Sequence, residues 1–229
     1  MKTLVCIAVS VLLLSAPAAD ARGFGGGPGR GPSPDFWGDL DFAPVVGHWA
    51  EYQMTPKGEK PMTMRISIVG EEDDAYWYEM VMTGEKGEKM ISKMLVSGDP
   101  QDTENIKRMI VKSGDEPAME MPIQMMAMMG GMEEVEGELP ETTTANLGSE
   151  SVTVPAGTFD ANHWQFTSED VVFNAWVMAG VGPYGVVKSA SDEFEMVLVA
   201  HGDKAATLIT ETPQALPMPG FPMPGKGGK

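Results

Sequence analysis

A two-residue period is the feature that most limits what this chain can become. Met62, Met64, Ile66 and Ile68 alternate with Thr63, Arg65, Ser67 and Val69. Successive side chains of a strand point to opposite faces, so such a run fits a strand with one buried face and does not fit a helix. Further on, Tyr76, Tyr78, Met80 and Met82 share a face, and Met90, Met94 and Val96 share another, opposite Lys89, Ile91 and Lys93. The segments between them, Gly70-Glu71-Glu72-Asp73-Asp74, Gly84-Glu85-Lys86-Gly87 and Gly98-Asp99-Pro100, are turn formers at even spacing. That punctuation predicts antiparallel neighbours joined as a meander, without crossover helices.

Runs of the same kind follow at Thr158–Thr167, Val171–Met178, Gly185–Ser189, Glu193–Ala200 and Ala205–Thr210. In the fourth, Phe194, Met196, Leu198 and Ala200 alternate with Glu193, Glu195, Val197 and Val199. With residues 47–54 and 106–112 these make about ten strands, near the number an open twisted sheet carries before it curls or splits. The residues therefore predict a mainly β protein on a curved antiparallel sheet, a barrel or a half-barrel. Alternation is the same for the closed and the open form.

The alternation breaks at Met119–Met132, MEMPIQMMAMMGGM, which holds seven of the chain's 20 methionines. Met121, Met125, Met128, Met129 and Met132 fall at helical spacing and Gly130-Gly131 is a stop signal, so a short helix is expected here. Three readings of its thioethers stay open. They pack as adaptable filler against a sheet, they line a pocket for an irregular hydrophobic ligand, or they bind Cu(I), to which soft sulfur ligands are suited. His48, His163 and His201 all lie far off in sequence, and methionine is frequent in the strands as well, which favours packing.

Lys2, the apolar run Leu4–Leu14 and the small-residue stretch 15–21, with Ala19 and Ala21 in an A-x-A pattern, read as a secretory signal peptide cut after Ala21. The run is shorter than the roughly 20 residues a spanning helix needs. No transmembrane segment is expected, and at most transient membrane contact. The cut removes Cys6, the only cysteine, and with it disulfides and thiolate chemistry. Lack of cysteine and of any N-x-S/T sequon favours a periplasmic over another secreted destination. Residues 22–34 and 214–229 are Gly/Pro-rich and read as disordered, the latter repeating Pro-Met-Pro-Gly at 217–220 and 222–225. A single β-rich domain is expected over 35–213.

The net charge of −17 argues against nucleic acid, whose phosphates would be repelled, and fits a solvated acidic surface. Motifs of common catalysts are missing: there is no G-x-S-x-G, H-E-x-x-H, phosphate-binding Gly-Lys-Ser/Thr loop or dinucleotide fingerprint. His163 sits in an apolar run and reads as a satisfied histidine. The carboxylates of 71–74 are contiguous in a turn, unlike an acid/base pair or a calcium loop. No cofactor, metal site or catalytic residue is expected, and the chain reads as a non-enzyme.

The most distinctive stretch is Val152-Thr153-Val154-Pro155-Ala156-Gly157-Thr158-Phe159, followed by Ala175-Trp176-Val177 and then Pro183-Tyr184-Gly185-Val186-Val187-Lys188-Ser189. This turn, Trp-containing strand and second turn, within residues 150–200, resemble the LolA/LolB-like outer-membrane lipoprotein-sorting superfamily and related secreted β proteins. The resemblance implies an incomplete barrel whose concave apolar face is lidded by one or two short helices and holds acyl chains. It also departs from that family: no basic residue matches the cavity mouth, and there is no lipobox.

The expected function is thus binding of a lipid or other hydrophobic molecule, with a lipid or lipid-modified protein as partner and the oligomeric state open. Candidate lining residues are Met64, Ile66, Ile68, Tyr78, Met80, Met94, Met125, Met128, Trp164, Phe166, Phe194, Met196 and Leu198. The alternatives are a closed-core structural or partner-binding envelope protein, and soft-metal binding through the Met-rich segment.

Overall fold

Alternation becomes strand pairing in the computed structural model, which describes residues 44–98, 105–122, 142–168 and 171–215. The strands are β1 (Trp49–Pro56), β2 (Met62–Glu72), β3 (Ala75–Thr83), β4 (Lys89–Val96), β5 (Ile106–Ser113), β6 (Met119–Met121), β7 (Thr142–Val154), β8 (Gly157–Ser168), β9 (Val171–Val177), β10 (Val186–Ser191), β11 (Phe194–Gly202) and β12 (Gln214–Ala215). All belong to one sheet in the order β12-β6-β5-β4-β3-β2-β1-β11-β10-β9-β8-β7. Two antiparallel meanders, β1–β6 and β7–β11, meet where β1 pairs with β11. The β12–β6 pair alone is parallel among these strands.

The sheet curls without closing, with β12 and β7 as its two edges. Five register shifts, at Glu51/Tyr52, Ile68/Gly70, Leu95/Val96, Asn146/Gly148 and Val186/Lys188, supply the bending, because a bulge adds a residue to one strand and raises the local twist. The curl brings the tip of the β7–β8 hairpin back onto β11, where the Ala156 N–H donates to the Leu198 carbonyl at 3.2 Å. We call the face enclosed by this curl the inner face. The acidic stretch 71–74 is exposed and turns β2 into β3, with Asp73 at φ 55°, a conformation that aspartate tolerates better than most residues.

The outer face of the first meander is covered by residues 203–213, which run across it from the end of β11 to the β6 edge. The crossing starts where the Ala205 N–H donates to the Gly47 carbonyl at 2.8 Å. Gly47 adopts φ 97°, and a Cβ there would lie 2.4 Å from the Asp203 carbonyl oxygen, so only glycine fits. Ile209 then closes a cluster of Ala75, Trp77, Val81, Ile91, Leu95, Ile110 and Ala118. Burying such a side chain contributes about 1.5–3 kcal/mol. At the centre of this strap the buried Glu79 carboxylate accepts from Thr207 Oγ1 at 2.6 Å and from the Leu208 N–H at 3.0 Å. Lys93 donates to the same Thr207 hydroxyl at 3.2 Å and lies over the Trp77 ring. Desolvation lowers the Lys93 pKa, opposed by the field of Glu79.

Four expectations change. Met119–Met121 is not helical but pairs with Met109 and Val111 as β6, and Pro122, which lacks a donor, follows it. The remainder of the expected helix, 123–132, lies outside the described residues, and no α-helix occurs among those described. Ala205–Thr210 alternates like a strand yet pairs with none, because its polar groups are taken up by Glu79 and Gly47. Strand β7 has no sequence counterpart in the expected set: as an edge strand it is mostly exposed and polar, which erases the alternation. Gln214 and Ala215, the first two residues of the expected tail, form β12.

Replacing Glu79 by alanine is expected to lower the unfolding free energy by about 2–3 kcal/mol, since it strips the strap of its buried acceptor. Glu79→Gln, which keeps one acceptor oxygen, should lose less. Urea unfolding together with the rate of tryptic cleavage after Lys204 checks this; equal cleavage in all three proteins would show that the strap is held by something else.

Candidate ligand-binding face

The register assigns the predicted lining residues to faces. Met54 opposes Met196 on one side and Met62 on the other, Tyr52 opposes Leu198 and Met64, Ile66 opposes Met80, Ile68 opposes Tyr78, and Tyr78 opposes Met94. Phe194 opposes Pro56, two residues beyond Met54. On the other meander Trp164 opposes Ala175, Ala175 opposes Ser189, and Ser189 opposes Met196, while Phe166 opposes Phe173. Directly opposed residues project to the same side of a sheet. Eleven candidates, Met64, Ile66, Ile68, Tyr78, Met80, Met94, Trp164, Phe166, Phe194, Met196 and Leu198, thus share the inner face, and Met125 and Met128 lie outside the described residues.

They do not share one environment. Met64, Ile68, Met196 and Leu198 are sealed from solvent, and Ile66, Tyr78 and Trp164 are buried as well. Together with Tyr52, Met54, Val154, Ala161 and Val177 most of these make the main hydrophobic cluster. Met80, Met94, Phe166 and Phe194 are half-buried. Around that cluster, Met62, Met82 and Phe173 are half-buried too. Phe194, Met62 and Met82 lie where β11 and β2 begin and β3 ends, and Phe166 pairs with Phe173 on the far side of β10, so they rim one end of the inner face.

Sequence reasoning placed Met62 and Met82 on the faces of Met64 and Met80 without naming them as lining residues, and it missed Tyr52, Met54 and Phe173 as neighbours. The Gly47–Met54 run was readable as a strand, but only its pairing with both β2 and β11 shows that Tyr52 and Met54 sit at the middle of the enclosed face.

Two polar groups interrupt this apolar lining. The buried Tyr52 hydroxyl donates to the Val186 carbonyl at 3.1 Å, and burial pushes its pKa up. The Ser189 hydroxyl, equally buried, has no hydrogen-bond partner among the described residues. On the outer face of the second meander, His163 stacks on Trp176 at 4.3 Å between ring centroids, its Nε2 2.9 Å from Asn174 Oδ1 and its Nδ1 3.1 Å from Glu150 Oε1. Trp176 also donates to Glu150, and Lys188 pairs with Glu195 at 2.9 Å above the same ring. Both imidazole nitrogens are thus engaged in holding β7, β8 and β9 together, an arrangement that orients side chains and offers no nucleophile. Among the described residues no group of three or more His, Cys, Asp or Glu side chains could hold a metal ion.

No family model matches the sequence, and no curated protein matches it either. Solved structures show distant likeness. A MucB chain in complex with MucA(peri) is 11% identical over 78% of this chain, with a TM-score of 0.35, and the match spans only 58% of that MucB chain. The protein CT021 of Chlamydia trachomatis is 11% identical, covers 77% of this chain and 95% of its own, and gives a TM-score of 0.44. A Bacteroides fragilis protein with a YmcC-like fold is 11% identical over 69% of this chain and 97% of its own, with a TM-score of 0.31.

Up to about pH 9 the Tyr52 hydroxyl is neutral in the folded and the unfolded chain and contributes its hydrogen bond, about 1 kcal/mol. Above an unfolded pKa of about 10 the unfolded chain releases this proton first, so the contribution is lost as pH rises. Tyr52→Phe is expected to be less stable than the parent by about 1 kcal/mol at neutral pH, and the gap should close near pH 11. Urea unfolding at both pH values checks it; a gap that stays constant would mean the hydroxyl is not desolvated.

Proposed function

We propose that this is an exported, non-enzymatic binding protein that takes a lipid or other hydrophobic molecule against the rimmed end of the inner face. The observation that carries the reading is the gradient along that face: a sealed apolar floor of Met54, Met64, Met196 and Leu198, bordered at one end by half-buried Phe166, Phe173, Phe194, Met62 and Met82. Thioether and aromatic side chains there adapt to an irregular apolar partner. The Ser189 hydroxyl, without a partner among the described residues, supplies one polar contact, suited to an ester or carbonyl oxygen.

The signal-like segment 1–21 supports a periplasmic or secreted location. The LolA/LolB-like motifs support acyl chains as the ligand class: Val152–Phe159 builds the β7–β8 hairpin tip that curls over the inner face, Ala175–Val177 ends β9, and Pro183–Ser189 leads into β10, where Ser189 faces inward. A lipid-modified protein is then a natural partner, delivering or receiving the acyl chain. Engagement of both His163 nitrogens in side-chain contacts supports a non-enzymatic reading.

Native mass spectrometry and lipid extraction of the mature protein, purified from its own envelope, test the proposal. Co-purifying lipid is expected. It should be lost in Phe194→Lys, where the lysine stem replaces the ring and its ammonium reaches solvent beside Glu193 and Glu195, so the fold persists. Ser189→Ala should keep or slightly raise the melting temperature of the lipid-free protein while weakening uptake. A lipid-free mass, with no uptake of offered phospholipid, would replace this reading with that of a closed-core structural protein.

A further inference from the structure

The methionines of the strands fall into rows. Met196, Met54 and Met62 oppose one another across β11, β1 and β2; Met64, Met82 and Met90 across β2, β3 and β4; Met94, Met109 and Met121 across β4, β5 and β6. Each row sets three thioethers side by side on the inner face, with neighbouring Cβ atoms about 5 Å apart. Their environments differ. Met196 and Met54 of the first row are sealed in the core, which is packing. The second row is split between the buried Met64 and Met90, which is 58% exposed. All three members of the third row are half-buried, reachable from solvent and partly shielded from it.

We propose that Met94, Met109 and Met121 form a tri-thioether site for a soft monovalent cation, Cu(I). Thioethers are ligands that select Cu(I) over harder cations. Three rotatable bonds let the outer two side chains swing over the central one across strand spacings of about 4.8 Å. Met119, two residues before Met121 on β6 and opposite Val111, stands on the same face as a fourth sulfur. Of the cations of these strands, Lys89, Lys93, Arg108 and Lys112 occupy register positions of the opposite face, with Arg108 over the Trp77 ring and Lys112 paired to Glu211. Lys107 lies exposed in the bulge of β5 between Ile106 and Arg108, and the net charge of −17 attracts a cation. The short β6 would fray if left alone, but Arg108 Nε pairs with Glu120 Oε1 at 2.7 Å and the Gln214 N–H donates to the Ala118 carbonyl at 2.8 Å, fixing Met121 beside Met109. This site lies near the β12–β6 edge, apart from the Phe-rimmed end proposed for the hydrophobic ligand, and does not depend on that reading.

The test uses the mature chain with Ag(I), a redox-inert stand-in, and Cu(I) under anaerobic reducing conditions, followed by mass spectrometry and by methyl NMR of 13C-labelled methionine. One bound equivalent is expected, with the methyl resonances of Met94, Met109 and Met121 moving together. The triple variant Met94→Leu/Met109→Leu/Met121→Leu should lose that equivalent; Leu for Met nearly conserves volume, so folding should survive. Leu at Met125, Met126, Met128, Met129 and Met132 should leave it in place. Should the triple variant fail to fold, the methyl shifts in the unaltered protein decide alone. Absence of uptake, resonance shifts at other methionines, or binding lost only in the 125–132 variant would each overturn the proposal.

Discussion

Everything in this fold depends on the pairing of β1 with β11. These strands come from opposite ends of the described chain, with Trp49 opposite Gly202 and Pro56 opposite Phe194. Without that ladder the two meanders would be separate sheets, each with a bare edge and an uncovered apolar face. With it, Tyr52 and Met54 become central residues, and Leu198 and Met196 on one side meet Met64 and Met62 on the other. The contact is also costly to reach, because a long loop must close before the ladder rewards it. Tyr52 strengthens the seam by bonding past β11 to the Val186 carbonyl.

The seam forces asymmetry on the two faces. The β7–β8 hairpin curls over the inner face, so the apolar side chains gathered there enclose one another, and half-buried phenylalanines lie at one end of it. The outer face of the first meander is covered from elsewhere in the chain, by the strap that Glu79, Lys93 and Thr207 hold down. A carboxylate buried beneath a loop is tolerable because backbone and hydroxyl donors satisfy it. The outer face of the second meander is left to polar and aromatic contacts among Glu150, His163, Asn174, Trp176 and Lys188. The chemistry of each face therefore follows from what covers it.

Candidate lining residues were legible where alternation was strong. Met64, Ile66, Ile68, Tyr78, Met80, Phe194, Met196 and Leu198 sit on one side of their strands in sequence, and the register gathers them onto one face. What alternation cannot carry is depth: Met64 and Met80 share a face and read alike, yet one is sealed and the other half-open, because depth depends on which strand lies above. The three methionine rows were illegible for a related reason, since strands far apart in the chain must align before Met94 can stand opposite Met109 and Met109 opposite Met121.

By itself the sequence determined the strand periods, the turn at 71–74, and a curved antiparallel sheet made mostly of consecutive neighbours. Those are local quantities, set by side-chain alternation and by residues that permit or forbid a turn. Tertiary structure alone decided that β11 returns to β1, that Ala205–Thr210 becomes a strap and not a strand, that Met119–Met121 joins the sheet edge, and that polar β7 becomes the other edge. The reason is the same in each case. A strand's hydrogen bonds are made with a partner elsewhere in the chain, and the free energy that selects that partner belongs to the pair and is not written in either segment.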